Sequence, residues 1–137
     1  MTSSKSSTRR SIQPRKQFGQ HWLRDQEILD RIIIAAEFSQ SDRVLEIGPG
    51  TGNLTSRLLS IVSALVSVEI DRDLCKKLVC KYGEQANFLL IQNDFLESDL
   101  SPFLKDFPRF QNPNKVVANI PYNITGPILA KLLGKIA

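Results

Sequence analysis

The tetrapeptide Asn119-Ile120-Pro121-Tyr122 places an amide, a proline and an aromatic ring directly after an apolar segment. The side-chain oxygen of Asn119 and a backbone carbonyl of Ile120 or Pro121 can accept both hydrogens of a planar exocyclic amine, while Tyr122 stacks on the ring that carries it. These two hydrogen bonds orient the nitrogen lone pair toward an electrophilic methyl group, so catalysis depends on positioning and electrostatics. Asn119, Pro121 and Tyr122 are therefore candidate catalytic residues. The alternative is a proline turn capped by Asn119, with Tyr122 packed in the core.

A glycine-rich segment, G-P-G-T-G-N, follows the apolar residues 43–47. Gly48, Gly50 and Gly52 let the backbone approach a ligand closely and offer N–H groups at the start of a helix. A dinucleotide fingerprint has the spacing G-x-G-x-x-G, and here Asn53 stands in the place of its third glycine. The shorter spacing favours a nucleoside ligand without a pyrophosphate, such as S-adenosylmethionine, and the alternative is a plain tight turn.

Two acidic residues follow later apolar segments. Glu69 lies about 20 residues past the glycines, where a carboxylate can accept both hydroxyls of a ribose. Asp94, in the sequence Q-N-D-F, is placed to accept a hydrogen bond from the adenine amine of the same ligand. The alternative is that Glu69 is an ordinary surface residue and Asp94 an ordinary loop residue, neither of which binds a ligand. Asp71 and Asp73 are explained as charges that the N-terminus of a helix favours.

Strand-like and helix-like segments alternate along the chain, which predicts an α/β fold with a parallel sheet and right-handed crossovers. In such sheets, ligands bind beyond the carboxyl ends of the strands, where the candidate residues lie. Strands are predicted at 43–47, 65–70, 87–92 and 115–119, and helices at 25–38, 53–62, 71–83 (closed by Gly83 as C-cap) and 126–137.

The composition excludes several classes of protein. A length of 137 residues fits one domain, and its 42% hydrophobic and 23% charged residues are ordinary for a globular chain. His21 is the sole histidine and there is no G-x-S-x-G motif, which excludes a histidine-based hydrolase and a multi-histidine metal site. Cys75 and Cys80 match neither a zinc nor a redox spacing, so we expect free thiols and no metal. No apolar run reaches the roughly 18 residues of a membrane helix, so we expect no membrane partner.

The positive charge is concentrated at the N-terminus. Six of the 18 Lys and Arg residues precede Asp25, the first acid, which leaves 12 against 14 acids and a net charge of −2 for residues 25–137. We expect residues 1–15 to form a basic flexible arm and residues 16–137 to belong to the folded domain. The arm is suited to lie along nucleic-acid phosphates. A solvated terminus and an organelle transit peptide are the alternatives.

Taken together, the motifs resemble those of the ribosomal RNA adenine N6,N6-dimethyltransferases, in particular the small-subunit methyltransferase A branch. The resemblance covers residues 14–137, and the order and spacing of its segments are highly specific. These segments are PRKQFGQHWL, VLEIGPGTGNLT, VEIDRDL, QNDF and NIPYNITGP. The resemblance implies a Rossmann-like S-adenosylmethionine-dependent methyltransferase fold. It implies cofactor contacts at His21, Leu23, Gly48, Gly50, Glu69, Asp94 and Asn119, with Tyr122 as the stacking ring.

The same resemblance implies dimethylation of two adjacent adenosines in a hairpin loop near the 3′ end of small-subunit rRNA. The expected partner is this rRNA in a pre-ribosomal particle, and the expected state is a monomer in the cytoplasm. His21 replaces the Asn of many members, as in the cyanobacterial and plastid variant, which keeps a plastid location open. The family has about seven strands and a helical C-terminal domain, so we expect this chain to be an N-terminal portion that lacks the rest of the sheet and is inactive alone. A large-subunit rRNA methyltransferase and a non-catalytic assembly or transcription factor of the same fold are the alternatives.

Overall fold

The computed structural model describes residues 26–118, which fall into two units divided after Glu37. In the first unit, helix α1 spans Gln26–Ala36. Its apolar face is the one that the sequence predicts, because Ile28, Leu29, Ile32, Ile33 and Ala36 are buried or half-buried. The predicted bounds of 25–38 are slightly too long, since Glu37 leaves the helix with φ 53°. The basic arm and the predicted helix at 126–137 lie outside the described residues.

The second unit contains a four-stranded parallel sheet with the strand order β3-β2-β1-β4. The predicted parallel α/β architecture is therefore confirmed. The strands are β1 (Arg43–Ile47), β2 (Ala64–Glu69), β3 (Phe88–Gln92) and β4 (Lys115–Ala118). The helices are α2 (Asn53–Leu59), α3 (Arg72–Tyr82), the single turn α4 (Ser101–Leu104) and a 3₁₀ turn at Pro108–Phe110.

The predicted bounds differ from the observed ones by a few residues. Helix α2 ends three residues before the predicted position 62, because the N–H groups of Ile61 and Val62 both bond to the carbonyl of Leu58 in a turn. Asn87 does not belong to β3 as predicted, and its side-chain amide donates to the carbonyls of Leu59 and Val62 instead. Gly83 caps α3 as predicted. Helix α4 and the 3₁₀ turn were not predicted, because they are too short to show a helical period in the sequence.

The two faces of the sheet are packed differently. On one face, alternate residues of the strands form an apolar core with side chains from the connection between β3 and β4. This core comprises Leu45, Ile47, Ala64, Val66, Val68, Ile91, Phe95, Leu100 and Phe110. On the other face lie α2 and α3, whose Leu58 and Leu78 are fully buried. Burying a leucine side chain contributes about 2 kcal/mol, so these two anchors hold α2 and α3 firmly against the sheet.

At the amino ends of the strands, the carboxylate of Asp42 joins three segments. Its Oδ2 accepts hydrogen bonds from the backbone N–H of Ser39, at 2.7 Å, and from the ammonium of Lys115, at 2.9 Å. Its Oδ1 accepts one from the side-chain amide of Asn114, at 2.8 Å. The amide of Asn114 and the ammonium of Lys115 lower the pKa of Asp42 from 3.8 to about 2. This cluster holds β4 against β1. It lies at the end of the strands opposite to the candidate site residues.

Both cysteines are free thiols, as predicted; Cys75 is buried and Cys80 is exposed. Burial, and then the charges of Glu69 and Asp71, raise the pKa of Cys75 to about 11, so its thiol stays protonated. Its Sγ donates to the backbone carbonyl of Glu69 at 3.4 Å. Within residues 26–118, no helix has the length and hydropathy that crossing a membrane requires.

We predict that Asp42→Asn lowers the free energy of unfolding at neutral pH by about 1–3 kcal/mol, because it sets an amide donor against Asn114 and Lys115. Since folding lowers the pKa of Asp42, its stabilisation is present above about pH 4 and is lost as the pH falls toward 2. Urea unfolding at about pH 3 to 7 should therefore show a difference between variant and wild type that shrinks in acid. Asp106→Asn, at an exposed loop position, is the matched control. A constant difference across this range would contradict the role of the carboxylate.

Candidate functional site

The structure brings the described candidate residues together at the carboxyl edge of the sheet. Gly48 and Gly50 follow β1, Glu69 ends β2, and Asp94 lies two residues beyond β3. Backbone hydrogen bonds connect these strand ends: the N–H of Gly48 donates to Val68, and that of Asn93 donates to Glu69. The three consecutive strand ends therefore form one continuous rim.

The glycine loop depends on a conformation that other residues rarely adopt. Gly48, Gly50 and Gly52 have φ angles of 71°, 61° and 90°. At Gly52, a Cβ atom would lie 2.9 Å from Cδ2 of Leu78 and 3.2 Å from Cε2 of Tyr82 in α3. A glycine is therefore required at this position by backbone angle and by close packing. The carbonyl of Gly52 then accepts the N–H of Ser56, which begins α2.

Glu69 links the glycine loop to the start of α3. Its Oε1 accepts the backbone N–H of Gly50 at 3.1 Å, and its Oε2 accepts the backbone N–H of Asp71 at 3.0 Å. The residue is 6% exposed, and each carboxylate oxygen keeps a second acceptor position. The carboxylate is thus fixed in place by two backbone donors and can still accept hydrogen bonds from a ligand.

Asp94 and Asp71 shape the turns in which they lie. Oδ1 of Asp94 accepts the N–H of Leu96 at 3.0 Å, and Asn93 in turn accepts the N–H of Asp94 at 2.8 Å. Asp94 is half-buried. Asp71 is the N-cap of α3 and accepts the N–H of Leu74, which agrees with its predicted role at a helix start. Asp73 lies in the first turn of α3, also as predicted.

The other predicted site residues, His21, Leu23, Asn119, Pro121 and Tyr122, lie outside the described residues. Strand β4 ends at Ala118, directly before Asn119, and runs parallel to β1. Their roles stay predictions. Among the described residues, there is no group of three or more His, Cys, Asp or Glu side chains that could hold a metal ion.

Glu46, a fully buried acid in β1, was not among the residues predicted from the sequence. Its Oε1 accepts hydrogen bonds from Thr55 Oγ1 in α2, at 2.8 Å, and from Ser67 Oγ in β2, at 2.7 Å. Its Oε2 is buried and has no hydrogen-bond partner. Burial above all, together with the charge of Glu69, raises the pKa of Glu46 to about 7, although both hydroxyls lower it. One feature of the sequence could have indicated its role, because Glu46 is an acid within the apolar strand RVLEI.

The contacts of Glu46 are consistent with a protonated carboxyl group. The carbonyl oxygen receives both hydroxyl hydrogens, and the proton is carried by the other oxygen, because an ionised oxygen without a partner is costly in a buried position. In this form, Glu46 joins β1, β2 and α2 immediately beneath the glycine loop.

We predict that the free energy of unfolding falls as the pH rises from about 4.5 to about 7, since the folded chain holds a proton on Glu46 that the unfolded chain releases. Glu46→Gln removes this loss and keeps an oxygen acceptor for both hydroxyls. Urea unfolding at about pH 5 to 8 should show the variant gaining on wild type by up to about 3 kcal/mol. Stability curves that stay parallel would contradict a protonated Glu46.

Comparison with known proteins gives a family for this chain. The family model described as "Ribosomal RNA adenine dimethylase" matches residues 12–136. A curated relative from Picosynechococcus sp., "Ribosomal RNA small subunit methyltransferase A", is 68% identical over 125 residues, which are 91% of this chain and 46% of the relative. The chain therefore spans about half the length of the curated relatives that it matches.

Solved structures show the same relationship. A dimethyladenosine transferase from Plasmodium falciparum is 34% identical, with a TM-score of 0.65 over 80% of this chain and 37% of that one. The 23S rRNA methyltransferase ErmE is 33% identical, with a TM-score of 0.63 over 80% of this chain and 41% of that one. The predicted Rossmann-like methyltransferase fold is confirmed.

Proposed function

Because the chain belongs to the ribosomal RNA adenine dimethylase family, we propose that it forms the cofactor-binding part of an S-adenosylmethionine-dependent rRNA adenine N6,N6-dimethyltransferase. The observation that carries this proposal is the link between Glu69 and Gly50, which sets a carboxylate against a glycine loop at the rim of a parallel sheet. Ligands of such sheets bind at this rim.

The described residues fit the nucleoside part of the cofactor. Glu69 would accept the two ribose hydroxyls through the acceptor positions that Gly50 and Asp71 leave open. Oδ2 of Asp94 would accept the adenine amine, while Oδ1 keeps its bond to Leu96. Gly48 and Gly50 carry no side chain that would block the approach of the ligand to the backbone. By resemblance, His21, Leu23 and Asn119 would complete the contacts.

S-adenosylmethionine supplies an electrophilic methyl group on a sulfonium. Asn119 and a carbonyl of Ile120 or Pro121 would accept the two hydrogens of the adenine N6, and Tyr122 would stack on the base. These contacts would hold the N6 lone pair toward that methyl group, and transfer would leave a neutral thioether while N6 releases its proton to solvent. Since the departing thioether is neutral, positioning accounts for most of the catalysis.

The proposed substrate is two adjacent adenosines in a hairpin loop near the 3′ end of small-subunit rRNA. Identity favours this branch, because it is 68% to the curated small-subunit relative and 33% to the large-subunit enzyme ErmE. Unstacking a base into the pocket costs a few kcal/mol, and this cost is smallest in a loop. Base stacking and base-edge contacts would then read the unpaired adenosine.

The remaining expectations belong to the same proposal. The basic arm at residues 1–15 would follow RNA phosphates and add affinity with little sequence preference. The protein would act as a monomer on a pre-ribosomal particle in the cytoplasm. A plastid location is the alternative.

We predict that the chain, completed by the remaining part of its curated small-subunit relative and given S-adenosylmethionine with ribosomal subunit particles, forms N6,N6-dimethyladenosine in small-subunit RNA and not in large-subunit RNA. Mass spectrometry of nuclease digests measures the product. Asn119→Ala should lower the yield by about 100-fold or more, because it removes an acceptor that positions the amine. Gln40→Ala, at an exposed amide, is the control. Product in large-subunit RNA alone, or full activity of Asn119→Ala, would contradict the proposal.

A further inference from the structure

Helix α3 concentrates positive charge in a fold that is otherwise acidic. Residues 26–118 contain ten Lys and Arg against thirteen Asp and Glu, a net charge of −3. Residues 72–82 contain four cations and one acid, a net charge of +3, so the rest of the described chain carries −6. The four cations define the α3 basic face: Arg72, Lys76, Lys77 and Lys81, all exposed.

Four of the six other cations in the described chain make contacts that hold the fold. Arg31 pairs with Glu27, and Lys115 pairs with Asp42, each at 2.9 Å. Arg43 donates to the carbonyl of Gln111, at 2.8 Å, and Arg109 donates to the carbonyl of Ser63, at 3.0 Å. The cations of the α3 basic face, by contrast, form no ion pair with any residue in 26–118.

The stability of the helix explains only part of these charges, since Lys81 lies in the last turn, where the helix dipole favours a cation. Arg72 lies in the first turn, where the positive end of the helix dipole disfavours a cation. Arg72 and Lys76 are four residues apart, as are Lys77 and Lys81, and like charges at this spacing destabilise a helix. An anionic partner would relieve the repulsion within these two pairs.

The position of α3 favours one kind of partner. Asp71, the N-cap of the helix, donates its N–H to Glu69, so the Arg72 end of the helix lies at the rim that holds the proposed site. Leu78 is fully buried and packs close to Gly52, which fixes the helix that carries these cations against the sheet. Nucleic-acid phosphates are the anions that such arrays bind without reading sequence.

We propose that the α3 basic face binds the phosphate backbone of the RNA whose base enters the site, an inference that rests on the proposed function. Each phosphate contact contributes about 0.7 to the slope of log affinity against log salt for single-stranded nucleic acid. The exposed cations would thus add affinity that is the same for all sequences.

The test compares two variants that change the net charge equally, Lys77→Gln/Lys81→Gln on the α3 basic face and Lys105→Glu at an exposed position on another segment. Fluorescence anisotropy with a labelled single-stranded RNA, from about 50 to 200 mM salt, gives affinity and slope. We expect the double variant to bind more weakly and its slope to shrink by about 1.4, while Lys105→Glu leaves the slope unchanged. Lys77→Arg/Lys81→Arg should restore both values.

The inference would be overturned if the two charge-matched variants lost RNA affinity equally. It would also be overturned if the double variant kept the wild-type slope. An arginine variant that binds RNA more weakly than the wild type, or with a smaller slope, would overturn it too. Calorimetry with S-adenosylmethionine separates this test from that of the proposed function, because the double variant should keep the wild-type affinity for the cofactor. If the chain binds the cofactor but its RNA affinity does not depend on the α3 basic face, this inference alone is contradicted. A chain that shows this dependence without binding the cofactor contradicts the proposed function alone.

Discussion

The arrangement of the candidate site depends on one carboxylate, that of Glu69. Its two oxygens accept the N–H groups of Gly50 and Asp71, which belong to the segments after β1 and after β2. A single side chain therefore sets the distance between the glycine loop and α3. Because a carboxylate bond to a backbone N–H is charge-assisted and strong, the loop is organised by the protein's own groups. A ribose bound there would meet acceptors already in position, which reduces the entropic cost of binding.

A second acid, Glu46, supports this arrangement from beneath. It faces the same side of the sheet as Glu69, and the charge of Glu69 contributes to the high pKa of Glu46. Two buried carboxylates so close would repel each other, and a proton on Glu46 removes that repulsion. The two acids thus have different roles: Glu46 joins strands and helix through Thr55 and Ser67, and Glu69 is left to face a ligand.

The sequence predicted the parts of the structure that follow from local patterns, such as the period of a strand and the glycines that end it. Strand RVLEI ends where the glycines begin, so the positions of β1, Gly48 and Glu69 followed from strand period and topology. The roles of Glu46 and Asn87 could not be predicted in this way, because their partners Thr55, Ser67 and Leu59 are distant in sequence. Short turns such as Ser101–Leu104 have no period to detect, and their position is set by burial of Leu100 and Phe110 against the sheet.

The most direct test of the central claim is a calorimetric titration of the 137-residue chain with S-adenosylmethionine, beside Glu69→Ala. Binding at one site in the wild-type chain, with affinity at least about tenfold lower in the variant, is the result that the account predicts, because the variant loses charge-assisted acceptors for the ribose. Circular dichroism would verify that the variant keeps its helices and strands. Equal affinity in both chains, or no binding by a folded wild-type chain, would contradict the assignment of this rim as a cofactor site.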